Sequence, residues 1–184
     1  MSPGKFWGFC RDNPMLQVER NAEGDIVLMP SSDAWTVSRS GELLYQLSIW
    51  DKVQTAPGLI FGGAAAFTLP NGAERSPDMA WIAQERWNAV HPRLRRRFPH
   101  ISPDFVTVMM SPDELLEDVR PKMEEHRANG VRLGWLIDRK NQTVYVYRPG
   151  ETVAVFDNIA TLSGSLELPG FTANLQQVFL QDTD

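Results

Sequence analysis

The groups in this sequence that could do chemistry are carboxylates and a lysine. Asp78 closes the triplet Ser76-Pro77-Asp78 and leads into the apolar run Met79-Ala80-Trp81-Ile82-Ala83. A carboxylate at the mouth of a buried strand is costly unless it is paired or binds a cation. Pro-Asp is also a common turn dipeptide, so a strand-entry turn is the plain alternative. Glu42 lies beside the apolar stripe Leu43, Leu44, Leu47 and Trp50 and can point inward or outward. Lys122 and Glu125 are three residues apart, which puts them on one helix face as either site groups or a surface ion pair.

Other chemistries lack their residues. His91, His100 and His126 are scattered, and no two have the spacing of a helical metal pair. The Gly62-Gly63 stretch is not followed by Lys-Ser/Thr, so no phosphate-binding P-loop is present, and there is no Gly-x-Ser-x-Gly elbow. Cys10 is the only cysteine, which excludes an internal disulfide and any multi-cysteine metal site.

These groups must be held by elements whose patterns can be read. Phe6 to Cys10 suits a short packed helix. Leu16 to Arg20 and Ile26 to Met29, on either side of Asn21-Ala22-Glu23-Gly24-Asp25, read as an N-terminal β-hairpin. Trp35 to Trp50 has helical periodicity, with Asp33 as its N-cap. Leu59-Ile60-Phe61 and Ala66 to Leu69 read as short strands about a Gly62-to-Ala65 turn. Met79 to Ala83 and Phe105 to Met110, apolar but for Thr107, read as buried strands. Ser111-Pro112-Asp113-Glu114 is expected to open a helix that stops at Asn129-Gly130. Leu133 to Ile137 and Val144 to Tyr147 form a further strand pair. A strand over Thr152 to Phe156 and a short helix near Asn174 to Leu180 complete the chain. The sum is an α/β sandwich with a mixed sheet flanked by helices.

The chain has 184 residues, 42% hydrophobic and 22% charged. That suits one globular domain over 1–184 with a core of its own, and no apolar run is long enough for a membrane-spanning helix. Without a basic-then-apolar leader, the expected location is cytoplasmic. The net charge of −5 disfavours indiscriminate coating of nucleic acid, since most of that affinity comes from cations. A local exception is Arg93, Arg95, Arg96 and Arg97 between His91 and His100, either a basic patch or a solvated loop.

Taken in order, a set of motifs resembles a known family. They include Phe6-Trp7-Gly8-Phe9-Cys10 with Asn13-Pro14, Gly24 to Pro30, Glu42-Leu43-Leu44, and Phe67 to Ala73. They continue with Ser76-Pro77-Asp78, Pro103-Asp104-Phe105-Val106, Ser111-Pro112-Asp113, Lys122-Met123-Glu124-Glu125, Leu133 to Asp138, Tyr147-Arg148-Pro149-Gly150 and Leu168 to Phe171. The chain resembles the Uma-type restriction endonucleases common in cyanobacteria, within the PD-(D/E)XK nuclease superfamily. The resemblance implies a restriction-endonuclease-like core and Mg- or Mn-dependent hydrolysis of DNA phosphodiester bonds, with homo-oligomers reaching both strands. Carried over by position, Asp78 is the first metal acid, Glu42 the helix acid and second metal ligand, and Lys122 the helix lysine. It also implies departures. Val108 stands where the family has a glutamate, Met110 where a basic residue is common, and Gly62-Gly63 where another acid is usual. The alternative expectation is therefore a catalytically silent relative that serves as a binding or assembly module.

Overall fold

A computed structural model describes residues 1–29 and 32–180. Pro30, the last residue of one quoted motif, lies outside the described residues. The chain opens with α1 (Pro3–Asp12), then the hairpin β1 (Val18–Arg20) and β2 (Ile26–Leu28). The long helix α2 (Ala34–Lys52) follows. It starts where the sequence indicates, with the Asp33 carboxylate accepting the backbone N–H groups of Trp35 and Thr36, both at 2.9 Å. That satisfies two of the donors left open at a helix start.

Next come β3 (Gly58–Gly62), β4 (Phe67–Thr68), β5 (Glu74–Arg75), β6 (Met79–Ala83) and the short helix α3 (Gln84–Ala89). A 3₁₀ turn at Pro92–Arg95 leads to β7 (Phe105–Met110), α4 (Leu116–Ala128), β8 (Leu133–Asp138) and β9 (Thr143–Tyr147). β10 (Ala154–Asp157), β11 (Thr161–Ser163), β12 (Thr172–Asn174) and α5 (Leu175–Val178) complete the described chain.

The central sheet has six strands in the order β10-β9-β8-β7-β6-β3. Only β7 and β8 run parallel; the other neighbours are antiparallel. A parallel pair needs a crossover, and α4 is that crossover. β7 is buried at all six positions, and its residues alternate between two apolar clusters as the two-residue strand period requires. Phe105 and Met109 join Leu43, Leu47 and Trp50 of α2, with Trp81 and Trp135. Val106, Val108 and Met110 join Val119 and Met123 of α4 on the opposite face. This is the expected mixed sheet flanked by helices, with the N-terminal hairpin in a second sheet of order β2-β1-β5-β4.

Two expected local features differ. Leu59-Ile60-Phe61 and Ala66 to Leu69 are not partners across a turn: β3 pairs with β6 in the central sheet, and β4 pairs with β5 in the smaller one. Ser111 does not cap α4 either. Residues 111–115 form a turn in which the Ser111 N–H donates to the Glu114 carboxylate at 2.7 Å, and the helix begins at Leu116. Among the described residues, no helix is long and apolar enough to cross a membrane.

Candidate functional site

A cleft of about 420 Å³ opens where the ends of β6 and β7 meet α4 and the N-terminal hairpin. Asp78, Val108, Lys122, Ser76, Ser111 and Glu114 line it. The backbone fixes Asp78 firmly. Its N–H donates to the Thr107 carbonyl at 3.0 Å, and its carboxylate accepts the Met109 N–H at 2.6 Å. These two anchors flank Val108 in sequence and hold Asp78 against that stretch of β7. Burial pushes the Asp78 carboxyl above the usual carboxylate range. The Met109 N–H and the Lys122 ammonium oppose the shift, and the negative charges of Glu114 and Glu19 add to it.

Lys122 reaches the cleft from α4. Its ammonium lies 2.7 Å from the Glu19 carboxylate and donates to the Ser76 carbonyl at 3.2 Å. Glu19, on β1, is 2% exposed. It also accepts the Ser76 N–H at 2.7 Å and an Arg75 guanidinium N–H at 3.1 Å. Arg75 in turn pairs with Glu125. Lys122 and Glu125 therefore do not pair with each other; each takes a partner on the small sheet. Two cations and two carboxylates thus form a balanced network behind the cleft, which a half-buried cluster requires.

Of the three residues read as site groups, Asp78 and Lys122 line one cleft and Glu42 does not. Glu42 lies on α2, where it accepts a hydrogen bond from Gln46 at 2.9 Å, and Gln46 also bonds the Asn174 backbone. α2 approaches Asp78 with Thr36, Val37, Ser40, Gly41 and Leu44 instead. Glu19 is the cleft-side acid that sequence reasoning misses. Glu19 alternates with Val18 on a short strand and reads as solvent-facing; its partners, 56 and 57 residues away in sequence, bury it. Glu114 reads as an acid of a helix start, but its turn faces the cleft.

The sequence pattern of the Uma2 family, described as "Putative restriction endonuclease", matches residues 5–176. The chain belongs to the Uma2 family. A solved structure from Anabaena variabilis ATCC 29413, described as "a putative nuclease belonging to DUF820", has the same fold, with a TM-score of 0.73 and 22% identity. The match covers 88% of this chain and 89% of that one. No curated protein matches.

Restriction-endonuclease-like proteins generally use a divalent metal, and the donors of this Uma2 chain can be tested for one. Hard cations want several converging oxygens. Asp78 commits one carboxylate oxygen to Met109, and Glu114 commits one to Ser111. Glu19 is already matched by Lys122, Arg75 and Ser76. Val108 offers no oxygen beyond its backbone. Among the described residues, no group of three or more His, Cys, Asp and Glu could hold a metal ion. As it stands, the donor set does not fit a resident divalent ion.

Proposed function

We propose that this chain is a restriction-endonuclease-like protein directed at DNA phosphodiesters, in which hydrolysis is impaired. One observation carries the reading: Asp78 and Lys122 line the cleft of a nuclease fold, and Val108 lines it with them where a second acid would be needed. Lys122 has three N–H donors and engages two partners behind the cleft, leaving one for a phosphate oxygen. Ser76 and Ser111 add polar contacts at the same wall. Asp78, with its raised pKa, is the one group anchored on the strand that could orient a water or hold a proton.

Val108 equally favours a second reading, in which the scaffold has been retained as a DNA-binding or assembly module with no cleavage. Both readings carry DNA as partner, a cytoplasmic location, and a homo-oligomer that presents two clefts to the two strands. Sedimentation velocity on the purified chain tests the last point.

Plasmid nicking with magnesium or manganese separates the two. Impaired hydrolysis predicts slow nicking that Asp78→Ala abolishes. Nicking that survives Asp78→Ala overturns the placement of the chemistry at this cleft. Duplex binding with no Asp78-dependent nicking selects the silent module.

A further inference from the structure

We propose that the arginine-rich segment Arg93–Arg97 is the docking surface for the DNA backbone beside the cleft. The proposal rests on the DNA reading above and adds to it the place where the polyanion is held. Residues 86–103 contain five arginines and no acid, in a chain whose net charge is −5. A basic run in an acidic protein is a local field and not part of a general surplus.

Two of the five arginines are structural. Arg86 pairs with Asp104 at 2.7 Å. Arg95 donates to the carbonyls of Val90 and Asn88, both at 2.7 Å, and lies over the Trp87 ring. This staple holds the loop in shape, and the remaining three arginines are exposed. Arg93 and Arg96 have no acidic partner among the described residues. Among the described residues, Arg97 has the face of Trp7, 5.9 Å away, and no acidic partner. Arg97 also adopts φ 67°, a left-handed conformation that residues with a Cβ rarely take. Local strain combined with unpaired like charges is a costly arrangement for a loop that only spans two elements.

The position fits the partner. Phe98, next to Arg97, lines the cleft that holds Asp78. Its ring packs edge-on against Trp7 at 5.2 Å and, tilted, against Phe6 at 5.6 Å. These ring contacts join the loop to α1 at the cleft, where Phe98 and Cys10 both line it. The three exposed guanidiniums belong to the segment that ends at Phe98, outside the cleft lining itself, and each can meet a phosphate as a planar, multi-donor cation. A DNA backbone held on this segment would continue past Phe98 into the cleft that Lys122 lines.

The test is binding of a labelled duplex to the full chain by fluorescence anisotropy, with chelator present so that cleavage plays no part. The triple variant Arg93→Gln/Arg96→Gln/Arg97→Gln is compared with wild type across a salt series. Each phosphate contact contributes about 0.9 to the slope of log K against log salt, so the variant should lose about 2.7. Between ~50 and ~200 mM salt, wild-type affinity should therefore fall about 40-fold more than the variant's. Replacing the same three arginines by lysine should restore the wild-type slope. An equal charge change elsewhere, Lys52→Gln/Arg120→Gln/Lys140→Gln, should leave the slope close to wild type. Equal slopes for wild type and the loop variant would overturn the docking surface and leave the proposed function standing. An equal loss in the surface control would also overturn it, by showing that charge in general is responsible. Failure of the wild type to bind duplex at any salt would overturn the docking surface and the DNA reading together.

Discussion

Val108→Glu tests the reasoning about the cleft most directly. Val108 is 6% exposed and packs in the α4-side cluster, although its edge reaches the cleft. Replacing it without metal forces a carboxyl to desolvate and disturbs a packed site, for a loss of about 2–4 kcal/mol. A second acid beside Asp78 also raises both carboxyl pKa values, so the penalty is largest near neutral pH. For a chain of this length, each kcal/mol moves Tm by about 2–4 °C, so the metal-free variant should melt about 5–15 °C below wild type. With the new carboxylate beside Asp78 and Glu114, three acids converge on one cleft. A divalent ion at a hundred times its dissociation constant then restores about 2.7 kcal/mol, or about 5–11 °C. Wild type, with one unshared oxygen on each of two acids, should gain far less. The assay is thermal unfolding of wild type, Val108→Glu and Val108→Glu/Asp78→Ala, each with and without magnesium or manganese. If metal raises all three melting points equally, the effect is not at the cleft, and the placement of Val108 beside Asp78 as a missing ligand position is refuted.

Two further predictions concern the frame that holds the site. His126 is fully buried on α4, and neither ring nitrogen has a partner among the described residues. Burial, with the Lys122 and Arg75 cations adding to it, pushes its pKa from 6.5 down to about 3. The unfolded chain therefore takes up this proton first, so stability is complete above pH ~6.5 and is lost as pH falls toward 3. The loss is about 2 kcal/mol at pH 5. His126→Leu should flatten that part of the pH–Tm profile, and a profile parallel to wild type would sink the assignment. At Gly58, a Cβ would stand 2.4 Å from the Trp81 ring and 2.5 Å from the Ile82 carbonyl. The ring cannot retreat, because its Nε1–H and the Gly58 N–H both donate to the same Asp51 oxygen, at 2.8 and 2.7 Å. Gly58→Ala should cost about 1–3 kcal/mol or more; a melting point within ~2 °C of wild type would show that this corner has slack.

The layers of the fold were legible because they rest on periodicity and local chemistry. Leu43, Leu47 and Trp50 recur at helical spacing, Asp33 caps their helix, and the runs at 79–83 and 105–110, apolar but for Thr107, read as buried strands. Strand partnership was less legible. β3 and β4 lie close in sequence with a glycine-rich connection, yet they enter different sheets, since β6 supplies β3 with a longer ladder than β4 could. Ser111 to Glu114 carries every mark of a helix start, and the Glu114 carboxylate does bond back to the Ser111 N–H as in a capping box. The helix nevertheless starts later, and that displacement turns Glu114 toward the cleft. Asp78 and Lys122, picked out by motif, line one cleft. The burial of Glu19 could not be read, because alternation along a three-residue strand cannot report partners that arrive from another sheet strand and a helix.

What remains at the cleft differs in its power to report function. The Lys122–Glu19–Arg75–Glu125 network is charge-balanced, and removing any one partner would leave a poorly solvated charge, at a cost of about 3–5 kcal/mol for a buried pair. Its own energetics preserve it whether or not the protein cleaves anything, so Lys122 by itself is weak testimony for catalysis. Position 108 works the other way. On a strand buried at every residue, a valine packed against α4 contributes about 1.5–3 kcal/mol, whereas a carboxylate there costs stability unless a cation meets it. Where cleavage is not demanded, folding alone favours a valine over an acid at this position. Asp78 escapes both arguments. It is half-buried with a raised pKa, and its carboxylate has no cationic hydrogen-bond partner among the described residues, only the Met109 N–H. A group that folding would sooner lose than keep is the one whose replacement reports on function, and Asp78→Asn, which keeps the shape and an acceptor for Met109, is the substitution to make there.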